Sequence, residues 1–304
     1  MIEWREAGIA RAMRWCSPAG VPAPRRVLAV GDTLTADAAY RLACEGAALL
    51  WRGDFQNARQ LLQAMGRRID RKARADDRSS AAFPEAFHRK RMLQAQRARI
   101  LGRLLIPFDA GHLIPLRRAP DVRDACAQAL GPSGEAQAIP LRELLGLIGA
   151  YEWRRKGVPI PALGGRIHPH YGVFSPMRGE YVALAGEVPL PAAAVSGGLA
   201  FDIGAGTGVL AALLARRGIR RIVATDVDER ALACARDNVE RLGLGGSVEI
   251  LKADLFPPGR APLIVCNPPW LPGKPASALE CAIYDPDSRM LRGFLAGLAG
   301  HLET

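Results

Sequence analysis

Phe201-Asp202-Ile203-Gly204-Ala205-Gly206-Thr207-Gly208 runs directly into an apolar stretch that opens at Val209 with helical spacing. A short strand that ends in glycines and passes straight into a helix brings its backbone against a ligand, because glycine alone turns that tightly at no steric cost. The spacing is G-x-G-x-G. A dinucleotide fingerprint requires G-x-G-x-x-G, hence Gly at 209, which is Val here, so a pyrophosphate cofactor is disfavoured. Downstream, short apolar runs alternate with helical segments. The pattern predicts strands at Leu199 to Ile203, Arg221 to Thr225, Ser247 to Leu251 and Leu263 to Cys266, with helices at Val209 to Arg217, Glu229 to Leu242 and Asp285 to His301. Strand, helix, strand repetition means an α/β, doubly wound, mostly parallel sheet.

The polar residues fall where such a sheet collects ligands, at the carboxyl ends of its strands. Asp226 follows the second strand, 22 residues after Gly204, the position of a carboxylate that accepts from ribose hydroxyls. Asp254 follows the third, beside Leu255 and Phe256, and suits an adenine amino group with its ring flanked by apolar side chains. Each acid taken alone also reads as a surface or capping Asp. Asn267-Pro268-Pro269-Trp270 follows the fourth strand. Two prolines fix φ and remove backbone donors, so the Asn267 amide oxygen and the Pro268 carbonyl are left to accept hydrogen bonds from one planar NH2 group. Taken alone, the tetrad is also a strand terminator followed by a core Trp.

In this order, glycine loop, two strand-end acids and Asn-Pro-Pro-aromatic, residues from about 165 to 304 resemble the class I S-adenosylmethionine-dependent methyltransferases, within the small-methyltransferase group. That group includes HemK/PrmC-like N5-glutamine methyltransferases of release factors and N6-adenine methyltransferases of RNA and DNA. The resemblance implies a Rossmann-like sheet and S-adenosyl-L-methionine as cofactor. It implies that Asp202 and the loop Gly204, Ala205, Gly206, Thr207, Gly208 cradle the methionine part, that Asp226 with Val227 holds the ribose, and that Asp254 and Leu255 hold the adenine. Asn267 would border the cofactor, and Asn267, Pro268, Pro269 and Trp270 would grip the target nitrogen, with Trp270 in place of the group's usual Tyr or Phe. Phe174 to Glu180 is similar to the Pro-rich, acid-containing loop that lines the group's cofactor site. A sheet of this class has seven strands and only four are legible, so the resemblance also implies that strands five to seven are missing and that the domain is C-terminally truncated.

The remainder of the chain sets bounds. Its 304 residues are 49% hydrophobic with mean hydropathy +0.02, the composition of a globular protein of about two domains. No apolar run approaches the roughly 18 residues of a membrane span, and the first residues lack the apolar segment of a secretory signal, so a cytoplasmic location is expected. The six cysteines are scattered without a CxxC pair, which disfavours a zinc site or a disulfide scaffold. His168-Pro169-His170 has no acidic or Cys partner nearby in sequence, so no metal is expected there.

The net charge of +11 is uneven. Residues 1 to 166 hold 28 Lys+Arg against 16 Asp+Glu, and residues 167 to 304 hold 13 against 14. The densest basic stretch is Arg67 to Arg103, which fits either a nucleic-acid or ribosomal contact or a solvated helical face. Residues 1 to 150 read as mainly helical, with helices at Thr35 to Trp51, from the N-cap Asp54 onward, at Glu85 to Leu105 and around Leu141 to Arg155. Pro107, Pro115 and Pro120 mark loops or edge strands at 106 to 122. The domains expected are therefore a basic substrate-recognition domain at 1–156, a Gly- and Pro-rich linker with the approach loop at 157–180, and a methyltransferase domain at 181–304. Two classes of function stay open. One is an N-methyltransferase whose macromolecular acceptor is a protein glutamine, or else an adenine in RNA or DNA. The other is a catalytically silent module that binds nucleic acid or a partner on the same scaffold.

Overall fold

A computed structural model describes residues 1–76, 83–176, 179–275 and 279–303. The chain divides into two compact units, Met1–Gly149 and Ala150–Thr304. The first comprises β1 (Ile2–Glu6), β2 (Ile9–Trp15), β3 (Val27–Val30), α1 (Ala36–Cys44), β4 (Ala48–Trp51), α2 (Phe55–Asp76), α3 (Phe83–Leu101), β5 (Leu104–Phe108), α4 (Arg123–Leu130), β6 (Gln137–Pro140) and the start of α5 (Leu141–Lys156). Its strands form one six-stranded sheet in the order β1-β2-β6-β5-β4-β3, with β3, β4 and β5 parallel.

This sheet corrects the expectation of a mainly helical N-terminal part. The helix read at Thr35 to Trp51 stops at Cys44 and the chain re-enters the sheet as β4. Gly46 takes φ +91°, and the amides of Gly46 and Ala47 bond back to the carbonyls of Ala43 and Leu42, the double bond of a left-handed helix stop. Ala48, Leu49, Leu50 and Trp51 are then all buried. A run that short and wholly buried satisfies its backbone as a central strand, although its apolar spacing continues that of the helix. In the same way α3 ends at Leu101 and β5 begins at Leu104. Pro107 lies in β5, a central strand rather than a loop or edge. The ladder to β4 pairs only Leu104 and Leu105, so the proline sits beyond it, as its missing donor requires.

Asp54 does start α2, accepting from Gln56 N at 2.8 Å, and the helical set Phe55, Ala58, Leu61, Leu62, Met65 and Ile69 is buried. Beyond Ile69 the α2–α3 hairpin adds to the core only Ile100 and Leu101 among the described residues. Arg67, Arg71, Lys72, Lys90 and Arg99 are exposed on it, while Arg97 pairs with Asp70 (2.8 Å) and Arg68 with Asp37. Asp77 and Arg78, and the side chains of Arg74, Asp76 and Glu85, lie outside the described residues.

The second unit holds β7 (Val158–Ile160), β8 (Gly165–Ile167), α6 (Glu180–Glu187), α7 (Ala192–Gly197), β9 (Leu199–Ile203), α8 (Val209–Arg216), β10 (Arg221–Asp226), α9 (Glu229–Arg241), β11 (Val248–Lys252), β12 (Ile264–Cys266) and α10 (Arg289–His301). The four strands expected from the sequence are β9 to β12, and they pair wholly in parallel in the order β11-β10-β9-β12. Chain order reverses direction at β9, so the crevice between the carboxyl ends of β9 and β12 is the switch point where ligands bind. Every residue from Val209 to Leu214 is buried, so α8 is an internal helix packed against the sheet.

The linker expected at 157–180 is instead partly built into this unit. β7 and β8 form an antiparallel hairpin, and Val158, Ile160, Leu163 and Ile167 pack with Val182, Val209, Leu210, Ala212 and Leu213 in one apolar cluster. Glycine and proline here serve a tight hairpin whose Val158, Ile160, Leu163 and Ile167 are buried. Met177 and Arg178 of the approach loop lie outside the described residues. No described helix is long and apolar enough to cross a membrane.

Candidate active site

The loop after β9 is shaped by three glycines with φ of +78° (Gly204), +54° (Gly206) and +77° (Gly208), values that a side chain makes costly. A Cβ on Gly208 would also meet Ala235 Cα and Cβ at 3.3 Å, so the third glycine sets how closely α8 approaches α9. The loop is tied to β10 by the amides of Gly204 and Ala205, both donating to Thr225 O at 2.9 and 2.8 Å.

Asp202 lies within β9 and is 1% exposed. Its Oδ2 accepts from Ala211 N at 3.0 Å, satisfying a first-turn amide of α8 that has no partner inside the helix. Its Oδ1 has no hydrogen-bond partner among the described residues. Burial pushes the carboxyl up to about 7 and the neighbouring Asp226 charge adds to this, while the Ala211 hydrogen bond opposes it. The same burial, with the Asp202 charge added, raises the Tyr181 hydroxyl and the Cys266 thiol to about 12, so both keep their protons at neutral pH.

At the end of β10, Asp226 Oδ2 accepts from Gly206 N and Oδ1 from Asp228 N, each at 3.0 Å. Two backbone donors fix the carboxylate's orientation and leave each oxygen a lone pair facing outward. After β11, Leu255 has φ +76°, an uncommon value for a branched side chain. Its carbonyl is held by Thr225 Oγ1 at 2.5 Å, and Gly293 of α10 packs so closely that a Cβ there would lie 2.7 Å from Leu255 Cδ1. Asp254 is exposed and pairs with Arg289 Nη2 at 2.7 Å.

These elements enclose a cavity of about 490 Å³, within the range of small-molecule sites. Of the residues singled out from the sequence, it is lined by Gly204, Ala205, Gly206, Thr207, Asp226, Val227, Asp254, Leu255, Asn267 and Pro269. Asp202 and Gly208 stand behind the wall, and Pro268 and Trp270 are outside it. Asn267 is exposed and spends its amide on no hydrogen bond among the described residues, and Trp270 is 70% exposed, so neither is a core residue.

Sequence reasoning missed part of the wall. Val173, Tyr181, Tyr284, Asp285, Arg289, Met290 and Gly293 also line the cavity. Asp285 is 5% exposed and caps α10 by accepting from Met290 N and Leu291 N, each at 3.0 Å. An Asp five residues before the apolar pair Met290-Leu291 carried that signal, whereas the packing of Tyr181 and Gly293 has none in the local pattern. His170 does find an acidic partner in space, Asp237 of α9 at 3.0 Å, but Asp237 also pairs with Arg154 and Arg241. No group of three His, Cys, Asp or Glu able to hold a metal occurs among the described residues.

Residues 165–284 match the family model of the methyltransferase small domain. The chain is similar to a ribosomal protein L11 methyltransferase of Pelotomaculum thermopropionicum, 44% identical over 23% of this chain and 24% of that protein. It is 38% identical to a release factor glutamine methyltransferase of Cereibacter sphaeroides over 28% of this chain and 32% of that protein. It is 39% identical to a tRNA1(Val) (adenine(37)-N6)-methyltransferase of Bacteroides thetaiotaomicron over 23% and 31% respectively. The match thus spans at most a third of each of these relatives. Residues 165–284, which supply most of the cavity wall, are thus similar to the methyltransferase small domain.

Proposed function

We propose that the chain is an S-adenosyl-L-methionine-dependent N-methyltransferase acting on a planar amide or amino nitrogen of a macromolecule, and that its acceptor is a protein glutamine side chain. One observation carries the reading. Asn267 and Pro269, at the carboxyl end of β12, line the same cavity as Gly204 to Thr207, Asp226 and Asp254.

The donor set fits the cofactor. The glycine loop presents backbone to the cavity at positive φ values that glycine adopts freely, and Asp226 offers oriented lone pairs for ribose hydroxyls. Asp254 stands at an apolar wall formed with Leu255 for adenine, and Asp202 Oδ1 is a buried acceptor without a hydrogen-bond partner among the described residues. When bound, S-adenosylmethionine supplies a methyl group already activated on a sulfonium. What is asked of the chain is to align the acceptor nitrogen and to exclude water. An amide or aromatic amine nitrogen is a poor nucleophile because its lone pair is delocalised. Asn267 Oδ1 and the Pro268 carbonyl would accept its two hydrogens and push electron density onto it, and the exposed Trp270 offers a stacking face.

The glutamine assignment is supported by the resemblance of Phe174 to Glu180 and of the tetrad to release-factor enzymes. A second reading, an adenine N6 in RNA or DNA, is favoured by the basic α2–α3 hairpin, and under it residues 1–156 recognise the substrate through phosphates. Radiolabelled S-adenosylmethionine with a cell extract, split afterwards by protease and nuclease, tests both. Label removed by protease supports glutamine, label removed only by nuclease supports adenine, and no label in either fraction together with no cofactor binding means a silent binding module.

A further inference from the structure

Arg289 is the first residue of α10, where the helix dipole opposes it, since a cation is disfavoured at a helix N-terminus. No acid in the first turn of α10 offsets this. Its partner comes from another segment. Arg289 Nη2 donates to Asp254 Oδ2 at 2.7 Å, and both residues line the cavity. The two side chains are 77% and 62% exposed, so as a surface ion pair the contact adds little to stability. A cation set against its own helix dipole, in a pair too exposed to hold the fold, argues for a role at the cavity.

The packing of α10 puts it there. Arg289 and Gly293 are four residues apart and therefore share one face of the helix. On that face Gly293 meets the loop after β11 so closely that a Cβ would lie 2.7 Å from Leu255 Cδ1, and Leu255 is itself held through its carbonyl by Thr225 Oγ1. One turn earlier, the same approach brings Arg289 to Asp254, the residue before Leu255. We infer that Arg289 is a positioning residue: it holds the Asp254 carboxylate toward the base of the cofactor, and so sets the preference of the site for a purine that carries a 6-amino group. The inference rests on the cofactor named in the proposed function, with Asp254 at the adenine. A carboxylate only accepts hydrogen bonds, so it distinguishes an amino group from a hydrogen at that position when its torsions are already fixed. Without Arg289 an exposed Asp has to be ordered as the ligand binds, and that ordering costs affinity.

Calorimetry on the full chain tests it with two probes, S-adenosylhomocysteine and its analogue with unsubstituted purine in place of adenine, which lacks only the 6-amino group. Arg289→Ala should weaken S-adenosylhomocysteine about fivefold, the size of the cost of ordering one side chain, and leave the analogue unchanged. In an Asp254→Ala background the same substitution should have no further effect on either probe, because two residues that act through one contact are not additive. Without ligand, Arg289→Ala should melt at the same temperature as the wild type or higher, since it removes a cation from a helix N-terminus. Equal weakening of both probes, or an effect of Arg289→Ala that persists undiminished beside Asp254→Ala, overturns the inference and makes the arginine structural. Unchanged affinity for S-adenosylhomocysteine overturns it as well and leaves the pair a solvated bridge. Each of these results requires a wild-type chain that binds S-adenosylhomocysteine; a wild type that does not bind it overturns the cofactor reading and this inference with it.

Discussion

Asp202→Asn replaces a buried carboxyl by an amide of the same shape, and its effect on stability should change sign with pH. In the folded chain the carboxyl is held at about 7 against 3.8 for an exposed Asp. An acid whose folded value is raised stabilises the fold below its unfolded pKa and loses that advantage as pH climbs toward its folded pKa. The window here runs from about pH 4 to about pH 7, and the difference of about 3 pH units is equivalent to about 4 kcal/mol. Asparagine cannot ionise, so the variant escapes this loss. It leaves an NH2 at the orphan Oδ1 position instead, which costs about 1–3 kcal/mol at any pH. The variant is therefore expected to be less stable than the wild type near pH 4.5 and more stable near pH 8, with the two curves crossing between. Urea unfolding of both proteins at half-unit pH intervals measures the difference directly, since all other titrations cancel. Curves that stay parallel from pH 4.5 to 8 would refute the claim that Asp202 is the strained acid of this fold.

Asn267→Ala should keep cofactor affinity within a few-fold and abolish most methyl transfer, read by calorimetry and label incorporation; equal loss of both would make the amide structural. Asp226→Ala removes the acceptor of Gly206 N and of Asp228 N, so cofactor binding should vanish and Tm should fall in the same sample. Gly297→Ala would put a Cβ 2.3 Å from the Phe256 ring, an overpacking expected to cost about 1–3 kcal/mol in denaturant unfolding; an unchanged midpoint would mean that α10 moves freely against Phe256. If the acceptor is nucleic acid, changing Arg67, Arg71, Lys72, Lys90 and Arg99 to Gln should lower affinity and flatten its salt dependence by about 0.9 in log–log slope for each phosphate no longer neutralised. An unaltered slope in a filter-binding titration would clear the hairpin of that role.

The cofactor half of the second unit is readable from the sequence nearly to the residue. β9 lies at Leu199–Ile203 as expected, and β10, β11 and β12 each begin or end within one residue of the predicted bounds. Those strands sit in a parallel sheet between helices, so their sequences are almost continuously apolar and their ends are punctuated by Gly, Asp and Asn. The first unit is harder to read because β4 and β5 directly follow α1 and α3, and their apolar residues continue the helical spacing. Only the turn at Gly46 and the pairing partners reveal that the period has changed. The β7–β8 hairpin reads as a linker for the opposite reason, since three-residue strands carry too little pattern to outweigh their glycines and prolines.

By itself the sequence determined the order of strands and helices around the glycine loop and which polar residues end which strands, because parallel winding leaves ligand-facing positions only at the carboxyl ends. It could not determine what closes the cavity. Tyr181, Arg289 and Gly293 come from segments before and after the sheet, and nothing in their local spacing says which way they face. The tertiary structure also separated residues that the motif groups together. Asn267 and Pro269 reach the cavity while Pro268 and Trp270 do not, and Asp202 is a buried acid with only one of its two oxygens satisfied. The physical reason is common to both. Periodicity encodes whether a side chain is buried, but its partners and the charge it can carry are fixed only when distant segments pack against it.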